Sequence, residues 1–260
     1  PEILQAQGIT VRHALPAVGE NFRDHLNVRI IWNVKIPAAS YNHRVRGLGA
    51  VNEVLRYLFS GGGFFSLPSA PLVAFLKTRS DLASPDVQMH LVPYAIKSPT
   101  KRELQDFPSM GIACYQLRPE SLGSIHIRSA NPDVPPAIRF NFLGTELDRR
   151  TIVEGVRMMR RIASAPAMAR LLGEEFSPGS KVEADAQIID WICKNSQTAY
   201  HPIGTCRMGQ GPDSVVDERL RVHGIEGLRV ADASIFPTMP SGNTNAPAIM
   251  VGEKAADLLR

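Results

Sequence analysis

The sequence predicts an α+β protein built on an antiparallel sheet that is backed by helices. Strand-like runs fill the middle of the chain, and helix-like runs follow them. The segment 124–128 alternates polar and apolar residues with a period of two, which is typical of a strand in a sheet with one wet face. From about Glu146 onward, apolar residues recur at the helical period instead.

The first half of the chain is expected to contain mainly strands. Short strands are predicted at 9–11 and on the approach to 16–19, followed by a polar turn at 20–25 and a strand at 28–32. A helix is predicted at 51–59, because Val51, Val54, Leu55 and Leu58 share the helical spacing, and the glycines at 61–63 end it. Further strands are expected at 87–93, 111–117 and 123–128.

The second half is expected to contain the longer helices. One begins near Glu146, and its predicted buried face consists of Ile152, Val156, Met159 and Ala163. Another covers 184–193, with Ile188, Trp191 and Ile192 on one face.

The last segment is read as a strand at 219–222, a turn at 224–227, a strand at 228–231 and a helix from about 246 to 259. Asn245 is the expected N-cap of this helix, and Pro247 falls in its first turn, where a missing N–H costs nothing.

The composition bounds the class of protein. The 260 residues are 44% hydrophobic and 21% charged, which is ordinary for a globular chain. The net charge of +4 arises from scattered residues with no basic block, so we expect no nucleic-acid partner. Three widely spaced cysteines fit neither a disulfide framework nor a thiolate metal site, so we expect no metal and a reducing, cytoplasmic compartment.

The chain shows no targeting or spanning pattern. No signal-peptide pattern follows Pro1, and no apolar run approaches the ~20 residues that a membrane span needs. We therefore expect no transmembrane segment, and peripheral membrane association stays open.

His201 is the sharpest candidate for catalysis. An unperturbed histidine has a pKa near physiological pH, as a general base requires. Pro202 fixes the backbone that follows it, and Gly204 and Gly209 would let this segment pack closely against a cofactor. The alternative is an ordinary core or surface histidine.

Two further polar residues follow in the same part of the chain. Asn243 has an amide that can donate to or accept from a substrate oxygen, although it could equally shape its turn. Asp232 follows the predicted strand 228–231, and ligands collect at the carboxyl ends of strands. The helix start near 246 would favour negative charge nearby.

The order of segments 201–209, Asp232 and 241–247 resembles the C-terminal signature of the glucose-methanol-choline (GMC) flavoprotein oxidoreductases. The resemblance implies FAD as cofactor and oxidation of a primary alcohol to an aldehyde, with oxygen, a quinone or a carrier protein as electron acceptor. It makes His201 and Asn243 the catalytic pair and Asp232, Ala233 and Asn245 contacts of FAD. Tyr200, next to His201, would line the substrate pocket.

The resemblance begins at 19–25 and reaches the final helix, but two parts of the family pattern are missing. The chain has no GxGxxG loop for the ADP half of FAD, and it lacks a Ser-Gly-Ile-Gly stretch after Gln5. We therefore expect the C-terminal portion of a longer protein, inactive by itself. The expected domains are a remnant of the FAD-binding domain at 1–25, a substrate-binding domain at 26–195, and elements at 196–260 that complete the FAD-binding domain and the active site.

Two alternatives to alcohol oxidation remain open. A flavin-dependent hydroxynitrile lyase would use the same fold without redox turnover. A non-catalytic fragment or binding module would explain the missing nucleotide loop.

Overall fold

The computed structural model describes residues 1–68, 70–98 and 103–259. Within them the α-helices are α1 (Glu2–Ala6), α2 (Tyr41–Arg44), α3 (Leu48–Ser60), α4 (Glu146–Ser164), α5 (Pro166–Ala169), α6 (Asp185–Asn195) and α7 (Asn245–Leu259). The strands are β1 (Leu26–Val34), β2 (Leu72–Leu76), β3 (Val87–Val92), β4 (Ile96–Ser98), β5 (Glu103–Leu104), β6 (Ser109–Gln116), β7 (Ser124–His126), β8 (Ala137–Arg139), β9 (Leu172–Ser177) and β10 (Gln197–Thr198). The predicted α+β class with an antiparallel sheet is confirmed.

The chain divides into two compact units, each built from separated segments. Unit 1 comprises 1–26, 117–149 and 198–260, and unit 2 comprises 27–116 and 150–197. Residues 117–149 fall within the substrate-binding domain expected at 26–195, but in the structure they belong to unit 1 together with both ends of the chain.

The main sheet has the strand order β10-β1-β6-β3-β2, and β9 also pairs with β1. Its long pairs are antiparallel, with Ile30 opposite Ile112 between β1 and β6, and Met89 opposite Cys114 between β3 and β6. Successive residues of each strand point to opposite faces of the sheet, so every strand contributes side chains to both sides.

One face of the main sheet contributes its side chains to the core of unit 2. Val28 and Ile30 on β1 are fully buried, and Cys114 on β6 is buried as well. Helix α4 packs directly on this face, because a Cβ added at Gly155 would lie 2.8 Å from Cys114 Sγ. The predicted apolar faces of α4 and α6 are confirmed as buried, apart from Trp191, which is half-buried.

Unit 1 has its own core around α7. Its buried members are Ala17, Val215, Val216, Leu220, Val222, Ile235, Val251 and Ala255. The strand predicted at 123–128 is β7, which pairs with β8 as a separate two-stranded ribbon.

Four strand predictions are wrong. Residues 9–11 follow a turn at Gly8 and form no strand, and 16–19 form a turn. The strands expected at 219–222 and 228–231 are reduced to an isolated bridge between Arg221 and Arg229, with the Val222 N–H donating to the Leu228 carbonyl. These runs are too short to build a ladder.

Helix α3 forms where it was predicted, but it buries an unexpected residue. Glu53 is 1% exposed, whereas the predicted apolar face at Val51, Val54, Leu55 and Leu58 is at least 42% exposed at every position. The Glu53 carboxylate pairs with Arg44 and accepts from the Phe64 N–H at 2.8 Å. A buried carboxylate with these partners is tolerated, since its polar oxygens are satisfied.

Candidate active site

The segment that carries His201 is bound to the segment that precedes β1. The Arg23 N–H donates to the Ile203 carbonyl at 3.1 Å, and the Ile203 N–H returns the bond to the Arg23 carbonyl at 2.9 Å. The Ala199 N–H donates to the His25 carbonyl at 2.8 Å. His201 is therefore held within unit 1 by backbone bonds on both sides.

Gly204 makes this close approach possible. Its φ is +91°, and a Cβ there would lie 2.4 Å from the Asn21 carbonyl oxygen. From the sequence, Gly204 and Gly209 are expected to let this segment pack closely against a cofactor. In the structure, Gly204 packs against Asn21, and a Cβ at Gly209 would lie 3.1 Å from Ser214 Cβ.

Asp24 connects the two segments through its side chain. It is 4% exposed, and its Oδ1 accepts from the His25 N–H at 2.7 Å and from the His201 N–H at 2.9 Å. Its Oδ2 accepts from the Thr198 hydroxyl. Burial raises the pKa of Asp24, and these hydrogen bonds act in the opposite direction.

His25 lies directly behind His201. It has no exposed surface, its Nε2 is 3.0 Å from the Leu117 carbonyl, and its Nδ1 is 2.9 Å from His201 Nδ1. Burial lowers the pKa of His25 to about 4, so the ring is neutral at physiological pH.

These contacts assign the protons on both rings. A carbonyl only accepts, so His25 carries its proton on Nε2 and its Nδ1 is an acceptor. His201 therefore donates from Nδ1, which leaves the lone pair on His201 Nε2. Asn243 Nδ2 donates to that nitrogen at 3.1 Å. Burial lowers the pKa of His201, and the Asp24 charge opposes this shift.

The structure thus brings His201 and Asn243 into contact, and the other predicted residues belong to the same unit 1. Tyr200 has φ +62° and is 73% exposed, and its N–H donates to Thr198 Oγ1 at 2.8 Å. Asp232 is exposed and accepts from the Ser234 N–H at 2.8 Å, which caps the 3₁₀ turn Ala233–Ile235.

The predicted cap of α7 is displaced by one residue. Asn245 is the first residue of the helix, and the carbonyl of Thr244 before it accepts from the Ala248 N–H at 2.9 Å. Pro247 lies in the first turn, as predicted. The start of α7 is therefore two residues after Asn243.

Asp24 and His25 are the site residues that sequence reasoning missed. The segment 20–25 was interpreted as a polar turn, although the family resemblance begins in it at 19–25. One signal in the sequence could have identified them. An aspartate and a histidine come immediately before a strongly apolar strand, and polar residues in that position can be buried with it and need not form a solvated turn.

The described residues contain neither a metal-binding cluster nor a membrane-spanning helix. In the described part of the chain, no group of three or more His, Cys, Asp or Glu side chains has the arrangement of a metal site. Among the helices that the structure describes, none combines the length and hydropathy needed to cross a bilayer.

The family model for GMC oxidoreductase matches residues 119–252, more than half of the chain. The chain belongs to the GMC oxidoreductase family. An oxygen-dependent choline dehydrogenase of Chromohalobacter salexigens is 39% identical over 100% of this chain and 46% of its own length. One from Klebsiella pneumoniae is 36% identical over 100% of this chain and 47% of its own length. The chain thus spans about half the length of the curated relatives it matches.

Solved structures of other oxidases share the fold. A formate oxidase of Aspergillus oryzae, studied for modification of its FAD, has a TM-score of 0.85 and 25% identity over 99% of this chain and 50% of its own. A pyridoxine 4-oxidase from Mesorbium loti has a TM-score of 0.79 and 24% identity over 98% of this chain and 46% of its own.

Proposed function

We propose that this chain carries the catalytic base of an FAD-dependent oxidoreductase that converts a primary alcohol to an aldehyde. The observation that carries the proposal is the unprotonated Nε2 of His201, held in contact with the Asn243 amide. This nitrogen is the one atom of the pair that can take a hydroxyl proton. Family membership supports the redox chemistry.

Part of the FAD site can be assigned to this chain. The first N–H groups of α7 have no partners within the helix, and with the positive end of its dipole they suit a group that gains negative charge on reduction. Asp232 and Ala233 would contact the same cofactor, although Asp232 already caps its own turn. When bound, FAD would accept the hydride from the alcohol carbon at N5.

The chain's own residues would divide the proton chemistry between them. His201 Nε2 would take the proton of the substrate hydroxyl, and the Asn243 amide would hold the oxygen as its charge develops. His25 and Asp24 are positioning residues, because one fixes the tautomer of His201 and the other fixes its backbone. The neutral, buried His25 ring can accept from His201 throughout this step.

The names of the relatives support an alcohol as substrate and oxygen as electron acceptor. We propose that the substrate of the whole protein is a primary alcohol, as the names of these relatives suggest. A hydroxynitrile lyase or a binding module would leave the flavin oxidised when substrate is added without oxygen. Loss of the oxidised flavin absorbance under anaerobic conditions is therefore the direct test of the reaction type.

The catalytic role of His201 is tested by the substitution His201→Ala in the full-length protein. We expect kcat/KM to fall by about 10²-fold or more with FAD still bound, because a general base typically contributes that much. Asn243→Ala should cost less, since it orients and does not take the proton. The control is His43→Ala, an exposed histidine of unit 2, which should retain full activity. A His201→Ala enzyme within threefold of wild type would refute the assignment.

A further inference from the structure

The turn that follows β6 contacts the candidate active site through two consecutive residues. His25 Nε2 donates to the Leu117 carbonyl at 3.0 Å, and this contact fixes the proton of the His25 ring. The next residue, Arg118, donates from Nη1 to the Ser241 hydroxyl oxygen at 2.7 Å. Ser241 lies two positions before Asn243, so the guanidinium holds the loop that carries the catalytic amide. All of these residues belong to unit 1.

The loop that carries Asn243 is open between two buried ends. Met239 and Thr244 are buried, whereas Ser241 and Asn243 are exposed. A Cβ added at Gly242 would lie within 4 Å of no atom of the described residues, so the middle of the loop is not packed against a neighbouring side chain. Hydrogen bonds, rather than packing, therefore hold this part of the loop in place.

Arg118 is suited to this task because the backbone around it is anchored. Leu117 is buried, and Pro119 is buried as well. The Pro119 carbonyl accepts from Arg23 Nη1 at 3.0 Å. Arg118 itself is half-buried, and its guanidinium keeps its proton at every physiological pH. A charged donor forms a stronger hydrogen bond than a neutral one, so Ser241 is held firmly.

Two series of contacts thus lead from this turn to opposite nitrogens of one ring. The first passes through His25 to His201 Nδ1, at 2.9 Å, and sets the tautomer. The second passes from Arg118 through the loop 241–243 to the Asn243 amide, which donates to His201 Nε2 at 3.1 Å. The second series sets where the amide stands beside the lone pair of the base.

We propose that Arg118 is a positioning residue that holds the Ser241 hydroxyl and, with it, the loop that presents Asn243 to His201 Nε2. The inference rests on the proposed function, in which the Asn243 amide holds the substrate oxygen as its charge develops. A displacement of about 1 Å in such a group can cost about 10²-fold in rate. The effect of Arg118 passes through Asn243, and Arg118 takes no proton.

The first test is a double-mutant cycle in the full-length protein. Arg118→Ala should lower kcat/KM by about tenfold or more, and by no more than Asn243→Ala does, with FAD still bound. In the Asn243→Ala background the same substitution should cost less than about threefold, because the amide that it positions is gone. The control is Arg128→Ala, which removes an exposed arginine of unit 1 that donates to the Pro135 carbonyl, and it should retain full activity.

The second test reads the contact without turnover, in protein free of substrate. Asn243→Ala removes a hydrogen bond to His201 Nε2 and shifts the ¹⁵N resonance of that nitrogen. Arg118→Ala should shift it in the same direction. The Nδ1 resonance should stay unchanged, because the contact with His25 is intact. Ser241→Ala removes the acceptor by a small change at an exposed position, and it should reproduce the shift and the loss of activity even if Arg118→Ala does not fold.

Three results would overturn the proposal: a full additive loss in the double variant, an unchanged Nε2 resonance in Ser241→Ala, or an equal loss of activity in Arg128→Ala. An arginine that only stabilises the fold would lower the thermal stability and leave the Nε2 resonance in place. Failure of the proposed function is distinct, because the wild-type flavin would then stay oxidised when alcohol is added, while the Nε2 resonance would still respond to Ser241→Ala.

Discussion

The rings of His25 and His201 are neighbours with different roles, and their hydrogen-bond partners determine which role each ring has. The Leu117 carbonyl fixes the proton of His25, and His25 then fixes the proton of His201. Replacements at His25 can separate these two contacts. The Asn side chain places its amide oxygen near the Nδ1 position, whereas Gln reaches only the Nε2 position.

We expect His25→Asn to retain more activity than His25→Gln, because it keeps the acceptor for His201 Nδ1–H. The measurements are kcat/KM and the ¹⁵N shifts of the His201 ring, which report the tautomer directly. His201 should keep its proton on Nδ1 in wild type and in His25→Asn. Equal losses with an unchanged tautomer would show that His25 only fills space.

The charge of Asp24 should be visible in the pH profile. Burial lowers the pKa of His201, and Asp24 raises it by stabilising the imidazolium. Activity requires the neutral ring, so kcat/KM falls as the pH drops through this pKa. Asp24→Asn keeps the acceptor oxygen for the His201 N–H but removes the charge, so the acidic limb should move to lower pH. A shift to higher pH, or none, would contradict this account.

At the scale of elements, periodicity predicted the buried faces of α4 and α6 but not the face that α3 buries. Helix α3 was predicted over 51–59 and extends over Leu48–Ser60. Its apolar spacing nevertheless faces outward, because Glu53 is buried by Arg44 and the Phe64 N–H. These partners are 9 and 11 positions from Glu53, beyond the i±3 and i±4 neighbours on which helical periodicity depends. The strands predicted at 9–11 and 219–222 do not form, because an apolar run becomes a strand only when it pairs with a neighbouring strand.

The contact of α4 with β6 gives a prediction about packing. Gly155→Ala should destabilise the protein by about 1–3 kcal/mol through overpacking against Cys114, although alanine is the better helix former. Cys114→Ala should remove that clash at the cost of a small cavity. In urea unfolding, the double variant should therefore be more stable than the sum of the two single losses, with a coupling of at least about 0.5 kcal/mol. Strict additivity would show that the two residues do not meet.

At the scale of the whole molecule, the family and fold class could be predicted because a run of residues late in the chain carries a specific pattern. That pattern also identified His201 and Asn243, which the structure places in hydrogen-bond contact. It did not identify His25, whose contact with His201 spans 176 positions. Contacts of that separation depend on the completed fold and leave no periodic trace.

Cofactor affinity is the remaining prediction at this scale. A polypeptide of these 260 residues alone should bind FAD weakly, because the sequence holds no glycine loop for the pyrophosphate. Titration with FAD, followed by flavin fluorescence, measures this, and the full-length protein is the control. Stoichiometric quenching by the shorter polypeptide would show that most of the binding energy lies at the flavin end.

Unit 1 is built from three separate stretches of chain, so its active site cannot form until all three have been synthesised. Asp24 and His25 emerge 176 or more positions before the base they orient. At ~5–20 residues per second, a ribosome needs about 10–35 s to supply the missing partner. During that interval the Asp24 carboxylate and the His25 imidazole, which are buried in the folded protein, stay hydrated. The site can therefore be assembled only after the segment from Thr198 to Asn243 has been translated.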